Sequence, residues 1–298
     1  MRIKFVTAVF LGACSYGVLS TLVKLAYENG VPTAVVTSSQ FLIGWLLLAT
    51  LLAFTQKKQR LTMKEKIQLM LAGIPTGLVG IFYYLSLVTI EASVAIILLF
   101  QFVWIGVVLE SLINRQFPTK KTVGSLIILL IGTVLASGNS WFNQGTVHWL
   151  GVLFGLLAAV SFALFILANA KVLPQLPTVQ RSYYMVSGSL MAVLFIFGPQ
   201  LIHQPFATYG QLGWYGVLLG LFGVCIPPLL FAYGMPQIGS GLGSILSSIE
   251  LPVAVLLSVI VLKETVILSQ WLGVFFIFLA IILPNIEWKK EQLAKNPL

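Results

Sequence analysis

The sequence predicts an all-α integral membrane protein: ten transmembrane helices arranged as two inverted five-helix repeats. Three observations predict it. The chain of 298 residues is 58% hydrophobic and only 8% charged, with a mean hydropathy of +1.00. Apolar stretches near the ~20 residues needed to cross a bilayer follow one another with short connections. A nearly constant spacing relates the second half of the chain to the first. A soluble domain carries about a quarter charged residues, and a chain of this size could not cover its surface with so few. A soluble enzyme, a disordered chain and a nucleic-acid binder are excluded.

The expected spans are 5–27, 33–54, 67–87, 92–112, 122–138, 149–169, 181–201, 213–233, 240–261 and 269–286. Arg2 and Lys4 precede the first of them, and Leu11-Gly12-Ala13-Cys14 looks like a lipoprotein cleavage site. The apolar run before Cys14 is too short for a signal peptide and continues past it to Leu22, so the segment reads as a retained helix. Cys14 and Cys225 both lie in apolar runs and read as packing residues. Fifteen of the 17 basic residues fall on one side if both termini are cytoplasmic, leaving Lys24 and Lys263 outside. The net charge of +9 therefore marks orientation, not a polyanionic partner. Trp141, Trp149, Trp214 and Trp271 fall at expected outer ends, where an indole suits the interface.

The repeat shows in Phe82-Tyr83-Tyr84 against Phe231-Ala232-Tyr233, 149 residues later. The same offset of 149 pairs Ile96 with Ile245, Gly124 with Gly273, Ile128 with Ile277 and Leu130 with Leu279. Nearer the start of each half, Ser15-Tyr16 matches Ser161-Phe162, and Pro32 matches Pro177. Five spans is an odd number, so the second repeat crosses the membrane upside down relative to the first. Residues 1–138 form the first repeat, 139–286 the second, and 287–298 a basic cytoplasmic tail. Inverted repeats of this kind build many secondary carriers, with the solute site between the halves.

Ser248-Ile249-Glu250-Leu251-Pro252-Val253, Leu262-Lys263-Glu264 and Gln270-Trp271-Leu272-Gly273 resemble the close of EamA-type transporters of the drug/metabolite transporter superfamily. Ser15-Tyr16-Gly17 and Lys24 make the first half look like the same module, although Asn114-Arg115 stands where that family often shows Gly-Glu. The resemblance covers nearly the whole chain. It implies a ten-helix carrier of the bacterial cytoplasmic membrane, frequently an exporter of metabolites or drugs.

Glu250 is the most informative residue. It falls mid-span, where an ionised carboxylate costs several kcal/mol and points to function. Gly243, Ser247 and Ala254 share its face, and Pro252 cannot donate to the Ser248 carbonyl, which should be left free. The offset of 149 sets Gln101 opposite Glu250, with Trp104 on the same face. Tyr16, Ser20 and Lys24 form a stripe on the first span, and Thr33, Thr37, Gln40 and Gly44 another on the second. Tyr84 and Tyr233 are repeat mates at opposite span ends, either anchors or gates. Phe162, Phe165 and Asn169 read as packing, and Glu110 as a solvated or salt-bridged helix end. Gly73 with Gly77, Gly151 with Gly155, and Gly216 with Gly220 have the spacing of close helix contacts.

These features point to a secondary carrier that moves a small organic solute, amino-acid-like and exported, by alternating access. Glu250 would carry a proton or a cationic group. The alternative is a channel or a non-transporting membrane partner. Membrane enzymes need clustered ionisable groups, but the chain has no Asp, and its two histidines, His148 and His203, lie at outer loops. No phosphate loop occurs, and Gly239-Ser240-Gly241-Leu242-Gly243 lacks the βαβ setting of a dinucleotide site. The expected partners are a small-molecule substrate and the lipid bilayer, with no cofactor, metal or nucleic acid.

Overall fold

The computed structural model describes residues 2–56, 58–90, 92–136, 148–205, 208, 210, 212–263 and 265–295. Side chains of 2, 87, 92, 93 and 284–295 are not part of the description. Trp141, the loop around it and Glu264 lie outside the described residues.

The described chain is helical throughout, with no strand among the described residues. The first half holds α1 (Arg2–Glu28), α2 (Thr33–Phe54), α3 (Met63–Leu87), α4 (Ala92–Leu99), α5 (Phe102–Asn114) and α6 (Lys120–Ala136). The second holds α7 (Trp149–Lys171), α8 (Thr178–Ile202), α9 (Tyr215–Gly220), a π-helical turn (Leu221–Cys225), α10 (Ile226–Ile238), α11 (Ser240–Ser247), α12 (Glu250–Ile260) and α13 (Leu268–Lys295).

Local chemistry sets several of the boundaries. Gly30, at φ +76, ends α1, and its N–H donates to the Tyr27 carbonyl at 2.8 Å. Pro32 and Pro177 stand just before α2 and α8, where a proline's fixed φ and missing donor cost nothing. At the start of α3 the Glu65 N–H donates to Thr62 Oγ1 and the Thr62 N–H to Glu65 Oε2, a capping box.

Among the described residues, eight segments are long and apolar enough to cross a membrane, counting α4 with α5, α9 with α10, and α11 with α12 as single spans. The expected fifth and tenth spans, α6 and α13, are not among these eight. α6 is described over 17 residues, and the apolar part of α13 ends at Leu283. These two helices pack on each other: a Cβ on Gly132 would come within 3.0 Å of the Gly273 carbonyl. α13 itself runs on to Lys295, so most of the expected tail continues as helix.

The largest pairings join one half to the other: α3 with α7 and α8, α1 with α10, α2 with α8, and α6 with α13. The main core lies along that seam, around Phe102, Phe162, Phe165, Phe231, Met235 and Ile245. Close approach needs small residues. A side chain on Gly73 would run into the Met185 backbone, and one on Gly188 into the Met70 backbone.

One expected surface charge proves to be core. Arg181, assigned by the charge pattern to the cytoplasmic rim, is 1% exposed. Its guanidinium donates to the carbonyls of Ala168 and Asn169 in the last turn of α7. It also donates to the carbonyl of Ala232 at 3.0 Å, the group left without its helical donor by Pro236. Arg181 thereby ties three helices together through carbonyls at the end of α7 and the one that Pro236 leaves without a helical donor.

Candidate functional site

The fourth and ninth spans are both interrupted, and at the same place in the repeat. α4 gives way to α5 across Phe100-Gln101, and α11 to α12 across Ser248-Ile249, which a shift of 149 residues superimposes to within one position. Neither chain unwinds. Each passes through a tight turn of i to i−3 bonds: Gln101 N–H to Leu98 O and Val103 N–H to Phe100 O, each at 3.2 Å. In the ninth span the bonds are Ser248 N–H to Ile245 O at 3.2 Å and Ile249 N–H to Leu246 O at 3.3 Å. The Ser248 carbonyl, expected to be free, accepts from the Leu251 N–H at 3.3 Å, because Pro252 cannot supply the normal donor. A short 3₁₀ stretch inside a span is a frequent hinge.

The two breaks differ in chemistry. The Gln101 side chain is consumed within its own helix: its amide donates to the Ile97 carbonyl at 2.9 Å, and its oxygen accepts the Trp104 indole N–H at 2.8 Å. Trp104 is 39% exposed and faces away from the core. Glu250, in contrast, has a buried Oε2 with no hydrogen-bond partner. The phenols of Tyr16 on α1 and Tyr83 on α3 lie within Coulombic range of its carboxylate. α1 is pressed onto the break, since a Cβ on Gly17 would fall 2.7 Å from the Glu250 carbonyl oxygen and 2.6 Å from Val253 Cβ. The Tyr16 ring meets Phe162 edge-on at 5.8 Å and Phe231 at 5.9 Å, and Phe162 lies 4.5 Å from Phe102. An aromatic wall therefore runs from Tyr16 to the fourth-span break.

The other expected site residues are placed as follows. Ser247 is buried and donates to the Gly243 carbonyl at 2.8 Å, within its own helix. Gln40 is buried, with its amide nitrogen against Gly223 of the π-helical turn. The carbonyl of Phe222 in that turn accepts from Ser15 Oγ at 2.7 Å. Lys24 is exposed, two turns beyond Tyr16. Tyr84 is half-buried and stacks edge-on with Tyr27 at 6.3 Å, whereas Tyr233 is 41% exposed and leans on Phe5 at 5.0 Å. The repeat mates therefore sit in unlike surroundings. Residue order does not mark Tyr83 or Glu110 as site residues. Adjacent tyrosines at 83 and 84 lie about 100° apart on a helix, and nothing in their order says which one turns toward the ninth span.

The EamA-like transporter family model matches residues 3–138 and again 149–286. The chain belongs to the EamA-like transporter family. That makes it a multi-pass membrane protein of a transporter family, consistent with the drug/metabolite transporter superfamily, and the double match means that each half of this EamA-like transporter is one copy of the module. A solved structure described only as "Crystal structure of protein" superimposes with a TM-score of 0.76 at 17% identity, covering 95% of this chain and 98% of its own. It establishes the shared fold. No curated protein matches the chain at significant similarity.

Proposed function

We propose that this EamA-like protein is a secondary active transporter that moves a small organic solute across the bacterial cytoplasmic membrane by alternating access. Ten spans with both termini cytoplasmic fit the basic-residue pattern, with α6 and the apolar part of α13 forming the fifth and tenth. The favoured solute is amino-acid-like and the favoured direction is export.

One observation carries this reading: the unpartnered Oε2 of Glu250 at the ninth-span break. A buried carboxylate oxygen left without a partner is costly, so the site gains from a proton or from the cationic group of a solute. Tyr16 and Tyr83 offer hydroxyls to the same species, and the flat faces of Phe162 and Phe231 bound its apolar part. Glu250 thus exchanges a proton for solute, while the paired breaks let the fourth and ninth spans bend about it.

The test is uptake of a metabolite panel by proteoliposomes under an imposed pH gradient. A solute carried by the parent and not by E250Q supports the reading. Gradient-driven transport unchanged in E250Q removes the coupling role.

A further inference from the structure

The repeat makes the crossing of the fourth and ninth spans occur twice, once toward each membrane face. Toward the face bearing Arg115 and Lys120, α5 packs along α11. Toward the opposite face, α4 and α12 form no comparable contact among the described residues. An exact two-fold repeat would make these crossings identical, so the sequence must tell them apart, and it does.

At the closed crossing, Gly106 takes the Ser244 hydroxyl against its backbone, in the space where a Cβ would sit. The residues 149 later and earlier are Val255 and Ala95, so the open crossing carries a branched side chain where the closed one has none. One turn further out, Glu110 reaches across from α5 to the start of α11. Its Oε1 accepts the Ser240 N–H at 3.1 Å and its Oε2 the Gly241 N–H at 2.5 Å. These are donors that the first turn of α11 cannot satisfy internally, and a carboxylate there is also favoured by the helix dipole. Gly239 turns the chain at φ +86, and a Cβ at either Gly239 or Gly241 would collide with the Glu110 carboxylate. The repeat partner of Glu110 is Val259, which can accept nothing.

We infer that Glu110 is the latch of the basic face: it holds the two repeats together there by capping α11 in trans, and solute release toward that face requires the cap to break. The molecule rests with Glu250 closed off from the basic face and the fourth and ninth spans apart on the other. The inference rests on the carrier reading, but its test needs no solute.

Single cysteines are placed at Val107, buried one turn inward from Glu110, and at Val259, in a background with Cys14→Ala and Cys225→Ala. Oriented vesicles are treated with a membrane-impermeant maleimide from each face. With Glu110 present, V107C is protected from the basic face and V259C reacts from the other. In E110Q and separately in G241A, V107C labelling rises roughly tenfold, the scale set by losing a charge-assisted hydrogen bond, while V259C labelling falls. Reciprocal change is the signature of a shifted gate. Unchanged rates, or both sites rising together, overturn the latch. If the reciprocal shift occurs and no solute is ever carried, the latch stands and the transport reading fails.

Discussion

Gln101 and Glu250 occupy the same place in the two repeats, at equivalent breaks of equivalent helices, yet one break is sealed and the other is not. Gln101 spends its amide on Ile97 and its oxygen on Trp104. Glu250 retains a buried oxygen without a partner. Their surroundings differ in the same sense. Tyr16 and Tyr83 lie near Glu250, and the residues aligned with them in the other half are Phe162 and Ala232, which carry no hydroxyl. Duplication has kept the hinge in both halves and confined the polar chemistry to one. The fold is symmetric in the two backbone breaks and asymmetric in the side chains around them.

Changes at the two breaks should therefore have unequal effects. The largest belongs to E250Q, which should abolish pH-gradient-driven transport in proteoliposomes while leaving the folded protein intact in detergent. Next comes the exchange Q101E with E250Q. If the breaks were interchangeable, moving the acid would restore transport; activity should instead stay at the E250Q level, because Phe162 and Ala232 offer no hydroxyl to the transplanted acid. Y83F and Y16F should each lower transport by several-fold, consistent with loss of one hydrogen bond worth about 1 kcal/mol, whereas F162Y should not raise it. The smallest effect belongs to Q101L. It frees the Ile97 carbonyl and the Trp104 indole, costing about 1 kcal/mol of stability by thermal denaturation, with transport close to that of the parent.

Much of this arrangement can be read from residue order alone, for identifiable reasons. The offset of 149 residues survives in apolar and glycine positions such as Ile96 with Ile245 and Gly124 with Gly273, because both copies must pack the same backbone. It leads directly to Gln101 and Glu250. The direction in which each side chain spends its hydrogen bonds is not legible, because it depends on where the 3₁₀ turn places the neighbouring carbonyls. Arg181 reads as a rim residue because a positive charge near a helix start suits the membrane edge, yet it is buried. Only the three-helix junction shows that carbonyls from α7 and α10 converge on it. Glu110 reads as a solvated or salt-bridged end for a similar reason: its partners are backbone N–H groups 130 and 131 residues away, which no side-chain pattern reveals.

The contrast between a satisfied and an unsatisfied acid is also present within the chain, between Glu110 and Glu250. Hydrophobic carbodiimides modify carboxyl groups that are protonated in apolar surroundings. Modification of intact vesicles, read by peptide mass spectrometry across a range of pH, should label Glu250 far more than Glu110, and transport should fall in step with that label. A Glu250 that stays unmodified at every pH, or that is modified fully with transport intact, would contradict its role as the group that the solute and the proton share.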